Sequence, residues 1–88
     1  MEYENIQLSL KPLLPGKVVE EQFLLIIDIS SIRSEKIKTA LWDFFVLGEK
    51  RNKICEQYNV NQGYLSLKIK EIQSLVVKLK KLSPYFIG

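Results

Sequence analysis

The sequence predicts an all-α protein, a small four-to-five-helix domain with a helix-turn-helix and an N-terminal extended arm. Three observations carry that expectation. A stripe of Leu65, Ile69, Ile72, Val76 and Leu79 recurs at spacings of 4, 3, 4 and 3, which puts all five on one face of a long helix. A second periodic set, Ile37, Leu41, Phe44 or Phe45, and Leu47, comes after Ser34, a residue suited to capping a helix N-terminus. Between these stripes, Asn59-Val60-Asn61 breaks a short apolar-polar segment in the manner of a tight turn. The whole chain is 88 residues, enough for one small core and no large enclosed cavity.

Residues 1–16 read as an arm. Ile6, Leu8 and Leu10 alternate with polar neighbours, and Pro12, Pro15 and Gly16 punctuate its end. The first helix starts near Lys17–Glu20, where Glu20 and Glu21 favour the positive end of the helix dipole, and runs through EEQFLLIIDIS. Phe23 to Ile27 is an unbroken apolar run, so this helix is expected to be buried on more than one side. Ile26, Ile27 and Ile29 are β-branched and keep a strand open as the competing reading. The second helix starts at Ser34, carries Trp42 against its core face and stops at Gly48. A short third helix covers roughly Lys50 to Tyr58. The last runs from about Gln62 to Leu82, where Ser83-Pro84 ends it.

Composition removes whole classes of function. The chain has no His, which excludes imidazole acid–base chemistry and His metal ligation. Its single cysteine, Cys55, can form neither an internal disulfide nor a paired-cysteine zinc site. Gly16, Gly48, Gly63 and Gly88 are too dispersed for a phosphate-binding loop. No catalytic constellation remains, so no enzyme, no cofactor, no metal and no small-molecule ligand are expected. The acidic N-terminus lacks the basic start and apolar stretch of a signal peptide, and no run approaches the ~20 residues of a membrane span. A cytoplasmic protein is the simplest expectation.

Charge is distributed unevenly. Residues 1–30 hold two lysines against five acids, residues 31–60 six bases against four acids, and residues 61–88 five lysines against Glu71 alone. A basic second half suits a polyanion, although the same lysines could simply solvate a helix. RNKICEQYNVNQGYLSLKI has the layout of a helix-turn-helix at about residues 50–70, inside a helical DNA-binding domain of residues 17–88. Ile54, Tyr58, Leu65 and Ile69 face inward, Val60 plugs the core beneath the turn, and Cys55 sits where the two helices cross closely.

The outward set is then Gly63, Leu67, Lys70 and Ser74, with Asn61, Gln62 and Tyr64 at the tip that such motifs insert into a groove. Asn and Gln suit adenine edges, and Gly63 admits a close backbone approach. Lys50, Arg51 and Lys53 would meet phosphates. No arginine stands in the last helix to read guanine, so site choice would rest partly on DNA shape, which favours A·T-rich duplex. Surplus apolar surface on the first helix, at Phe23, Leu25, Ile26 and Ile29, with Ile6, Leu8, Leu10, Leu13 and Leu14 of the arm before it, marks an expected interface for a homo-oligomer, a dimer or higher. Two other readings stay open: a helical adaptor that binds proteins without DNA, and a basic amphipathic helix, SLVVKLKKL, on an anionic membrane.

Taken together, LLPGKVVEEQFLLIIDISSIRSEKI, GEKRNKICEQYNVNQGYLS and KLSPYF resemble the PapB-type regulators of bacterial fimbrial adhesin operons, over about residues 13–86. The blocks LLPG and ISSI, the Cys-Glu-x-Tyr pattern at 55–58 and Asn-x-Gly-Tyr at 61–64 carry the resemblance. It implies a small helical transcription regulator that binds A·T-rich DNA near fimbrial promoters, activates or represses by site, self-associates on DNA and needs no cofactor; a nucleoid-associated place in the cytoplasm is the expected localisation. It places the DNA-contacting segment on residues 49–70, with Arg51 and Cys55 matching the family's residue types. The first 12 residues show no family block.

Overall fold

A computed structural model describes residues 13–86. Four α-helices, α1 (Glu20–Ile29), α2 (Glu35–Phe45), α3 (Arg51–Tyr58) and α4 (Gln62–Leu82), are succeeded by a 3-10 turn at Ser83–Phe86, with no strand among the described residues. The first apolar segment is therefore a helix. Its geometry decides what it buries: Phe23, Ile26 and Ile27 point inward at i, i+3 and i+4. Leu24, Leu25 and Ile29 fall on the other side and are more than half exposed. A ten-residue helix with one packing partner face cannot hide both sides, so the expectation of all-round burial fails.

Ser34 caps α2 as its sequence position predicts, its Oγ accepting from Ile37 N–H at 3.3 Å. The helix contributes Ile37, Ala40, Leu41, Phe44 and Phe45 to the core. Leu47, expected on that face, is exposed instead, because α2 ends at Phe45 and the chain turns away. Trp42 is half-buried and meets the Phe23 ring edge-on at 5.7 Å between centroids.

Beneath α4 the stripe is realised with Leu65, Ile69, Ile72 and Val76 buried, while Leu79 is only half-buried. Pro84 enters the 3-10 turn after α4 stops at Leu82. α4 packs against each of the other three helices and forms the spine of the fold.

The expected arm of residues 1–16 reaches the described structure only at its last four residues, and these are tied down. Leu13 is buried. Its N–H donates to Gln73 Oε1 and its C=O accepts from Gln73 Nε2, both at 2.8 Å, so one α4 side chain satisfies both backbone groups. Gly16 and Gly48 both hold positive φ, +74° and +75°, and a Cβ on either would lie 3.1 Å from the other's Cα. Two bare backbones thus meet where any side chain would force them apart. Gly16 N–H and Val18 N–H continue the seam onto Phe44 O and Phe45 O. The rest of the arm, with Ile6, Leu8 and Leu10, lies outside the described residues.

Candidate nucleic-acid interface

The candidate interface is built by α3, the turn after it and the first half of α4. Asn59 ends α3 in the left-handed conformation, φ 54° and ψ 54°, a geometry that asparagine tolerates and that reverses the chain in three residues. Val60 N–H returns to Cys55 O at 3.0 Å, and the Val60 side chain is buried under the turn. Asn61 then opens α4 as its N-cap, its Oδ1 accepting from Tyr64 N–H at 3.1 Å. Ile54 and Leu65 are fully buried where the helices meet, and Cys55 is buried beside them.

The two-helix unit is held to α2 by Asp43. This carboxylate is buried, yet it accepts a 2.7 Å hydrogen bond from the Tyr58 hydroxyl, and Asp43 C=O accepts from Glu49 N–H. The bond to the carboxylate raises the Tyr58 pKa above its usual 10.0, with burial of the ring adding to the rise.

Each residue expected to contact DNA is solvent-accessible. Lys50, Arg51 and Lys53 are exposed at the start of α3, and Asn61, Gln62, Gly63 and Tyr64 are exposed at the tip of α4. Leu67, Lys70 and Ser74 lie beyond them on the same outward side. The cations are not equivalent. Lys53 pairs with Glu49 at 3.1 Å, and Lys68 is drawn to Glu71 at 3.0 Å, which raises its pKa. Lys68 also stands over the Tyr64 ring at 5.2 Å from its centroid. The Arg51 guanidinium rests on the Phe44 ring at 5.3 Å, which pre-orders it without neutralising it. Asn61 has committed its carboxamide oxygen to the cap and keeps only its NH₂ for a partner. A bidentate adenine contact needs both, so Gln62 is the better placed amide. None of these pairings was legible in the sequence beyond the i, i+3 and i, i+4 spacings of the lysine–glutamate pairs.

The residues expected at an oligomer interface divide. Leu25 and Ile29 are exposed, at 66% and 57%, but Phe23 and Ile26 are buried in this chain's own core and present no surface to a second copy. The exposed apolar set instead includes Leu24 and, from the C-terminal end, Leu82, Tyr85 and Phe86. Leu82, Tyr85 and Phe86 were not legible in the sequence because a helix end and a 3-10 turn carry no long periodic stripe. Among the described residues no cluster of three metal-ligating side chains occurs, and no helix is long and apolar enough to cross a membrane.

The profile of the PapB family, described as adhesin biosynthesis transcription regulatory protein, matches residues 1–86. This chain belongs to that family. The match takes in the first 12 residues, where sequence reading recognised no family block. The chain is 48% identical over 83 residues to the regulatory protein FanB of Escherichia coli, covering 94% of this chain and 84% of FanB. It is 39% identical over 74 residues to PapB, a pilus subunit operon regulatory protein of Escherichia coli, covering 84% of this chain and 71% of PapB. The crystal structure of Escherichia coli FocB superposes with a TM-score of 0.79 at 37% identity, covering 96% of this chain and 98% of FocB. The PapB family is one of transcription regulatory proteins, not of enzymes.

Proposed function

We propose that this PapB-family regulator binds A·T-rich, promoter-proximal DNA of a fimbrial adhesin operon as a homo-oligomer. It activates or represses according to the site, and it does so in the cytoplasm at the nucleoid. In this reading α3, the Asn59–Asn61 turn and α4 form a helix-turn-helix within a DNA-binding domain spanning residues 17–88. Residues 1–16 then serve as an arm whose last residues anchor it to that domain.

One observation supports this most directly. The tip of α4 is polar and exposed, Lys70 is exposed further along α4, and Lys50 and Arg51 are exposed at the start of α3, while Glu49 and Glu71 are each paired with a lysine. Phosphates would meet these cations, with exposed Glu56, beside Asn59 and Gln62, as the competing negative charge. The thin set of base-reading groups at the tip, Gln62 foremost, suits selection by duplex shape more than by direct bonds. Exposed Leu25 and Ile29 are the part of α1 that a second copy could cover, and a paired motif would gain avidity.

Electrophoretic retardation of A·T-rich and G·C-rich duplexes over a salt series tests the reading. Wild type should retard the A·T-rich duplex more strongly, with binding that weakens steeply as salt rises. Arg51→Ala and Lys70→Ala should each weaken binding to every duplex and lower the salt slope by about 1. Absence of any retardation would overturn the reading. The apolar end of the molecule favours one alternative, a helical adaptor for another protein, and that alternative predicts no salt-dependent retardation.

A further inference from the structure

Outside the segment assigned to DNA, one cation stands at its edge. Lys36 lies in the first turn of α2, yet its Nζ donates to Asn59 O at 3.5 Å, joining residues 23 apart in sequence at the turn that leads into α4. The carbonyl it meets belongs to the left-handed residue that ends α3. Lys36 is exposed, and among the described residues it forms no ion pair. In this it differs from Lys38, Lys53 and Lys68, each within 3.2 Å of a glutamate. An ammonium has three donors, so the carbonyl leaves two free.

Its position complements the other cations. Lys50 and Arg51 stand at the first turn of α3, and Asn59 comes just after its last. Eight helical residues span about 12 Å, which is also about the width of the DNA major groove. The exposed tip at Asn61–Tyr64 begins two residues beyond the carbonyl that holds Lys36. Cations therefore stand at both ends of α3, the helix that leads into the tip expected to enter the groove.

We propose that Lys36 is a phosphate-binding residue of the DNA interface, held by the Asn59 carbonyl at the turn that leads into the α4 tip. This rests on the DNA-binding reading above. It extends the interface to a helix that the motif does not include.

The test compares full-length wild type, Lys36→Gln, Lys36→Arg, Arg51→Ala and Lys81→Gln on one A·T-rich duplex across a salt series, with thermal melts to verify that each is folded. Gln removes the charge and keeps a donor, Arg keeps the charge, and Lys81→Gln removes a lysine near the far end of α4. Lys36→Gln should lower the salt slope by about 1, so that between about 50 and 200 mM salt it loses ~3-fold less affinity than wild type. Lys36→Arg should restore the slope, and Lys81→Gln should leave it unchanged. A native slope in Lys36→Gln alongside a reduced slope in Arg51→Ala would overturn the role of Lys36 and leave DNA binding standing. An equal fall in Lys36→Gln and Lys81→Gln would also overturn it, as an effect of net charge. Failure of wild type to bind would overturn both.

Discussion

The two ends of α4 are built differently. Its first half lies against α2 and α3, where Leu65 and Ile69 are buried, and it shows solvent a polar tip of Asn61, Gln62 and Tyr64 with Lys70 beyond. Its second half relies on α1, where Val76 is buried but Leu79 only partly, and it leads to exposed Leu82, Tyr85 and Phe86. The first half buries Leu65 and Ile69 in its own core, and its surface sets Tyr64 and Leu67 among polar and charged side chains. The second leaves apolar surface over, on both α1 and the C-terminal turn. The contrast separates what a residue does for folding from what it offers to a partner, since residues of one chemical type serve the first at one end and the second at the other.

The largest test of that contrast removes a buried anchor. Leu65→Ala should destabilise the fold by about 2–5 kcal/mol, measured by chemical denaturation, because a fully buried leucine leaves a cavity at the junction of α3 and α4. Leu25→Ala, at the other end, should stay within about 0.5 kcal/mol of wild type. Equal losses would erase the distinction.

A smaller effect is expected at the seam that fastens residues 13–18 to α2. Gly48→Val places a branched side chain at φ +75° with its Cβ 3.1 Å from Gly16 Cα. It should cost about 1–3 kcal/mol and open the seam, read as faster amide exchange at Gly16 and Val18. Native exchange there would show that the two backbones separate freely.

The Asp43–Tyr58 bond should show itself in alkali. The Tyr58 pKa is raised by folding, so its stabilising contribution is complete below the unfolded value near 10.0 and is lost as pH climbs through the higher folded value. Tyr58→Phe should be less stable than wild type at neutral pH, and the gap should close above about pH 10. A gap independent of pH would assign the loss to packing of the ring alone.

The mildest change in stability sharpens the contrast most. Leu25→Asp and Ile29→Asp should fold with stability within about 0.5 kcal/mol of wild type, since both side chains are exposed, while weakening self-association in sedimentation. Phe23→Asp, by contrast, should fail to fold. Loss of fold in Leu25→Asp would move that residue into the core.

Much of this was legible residue by residue. Ser34 as a cap, Val60 beneath the turn, buried Cys55 and the inward stripe of α4 all obey local rules, in which a side chain acts on backbone or neighbours three or four residues away. The outward set Gly63, Leu67, Lys70 and Ser74 comes from the same period. Reading failed where periodicity was saturated or absent. In FLLII every position is apolar, so period alone could not choose Phe23, Ile26 and Ile27 over Leu24 and Leu25. At Leu47 the stripe outlasted its helix.

The helices, their caps, the turn between α3 and α4 and the basic second half were already written in the order of the residues, because helix formation and net charge depend on neighbours along the chain. It took the assembled fold to select which side of α1 is buried, to clasp Leu13 with Gln73, to bring Gly16 against Gly48, to bond Asp43 to Tyr58 and to carry Lys36 to Asn59. These contacts join residues from 15 apart, at Asp43 and Tyr58, to 60 apart, at Leu13 and Gln73. No local rule encodes such pairs: they exist only once α4 has gathered the other helices around it and fixed the distances between their side chains.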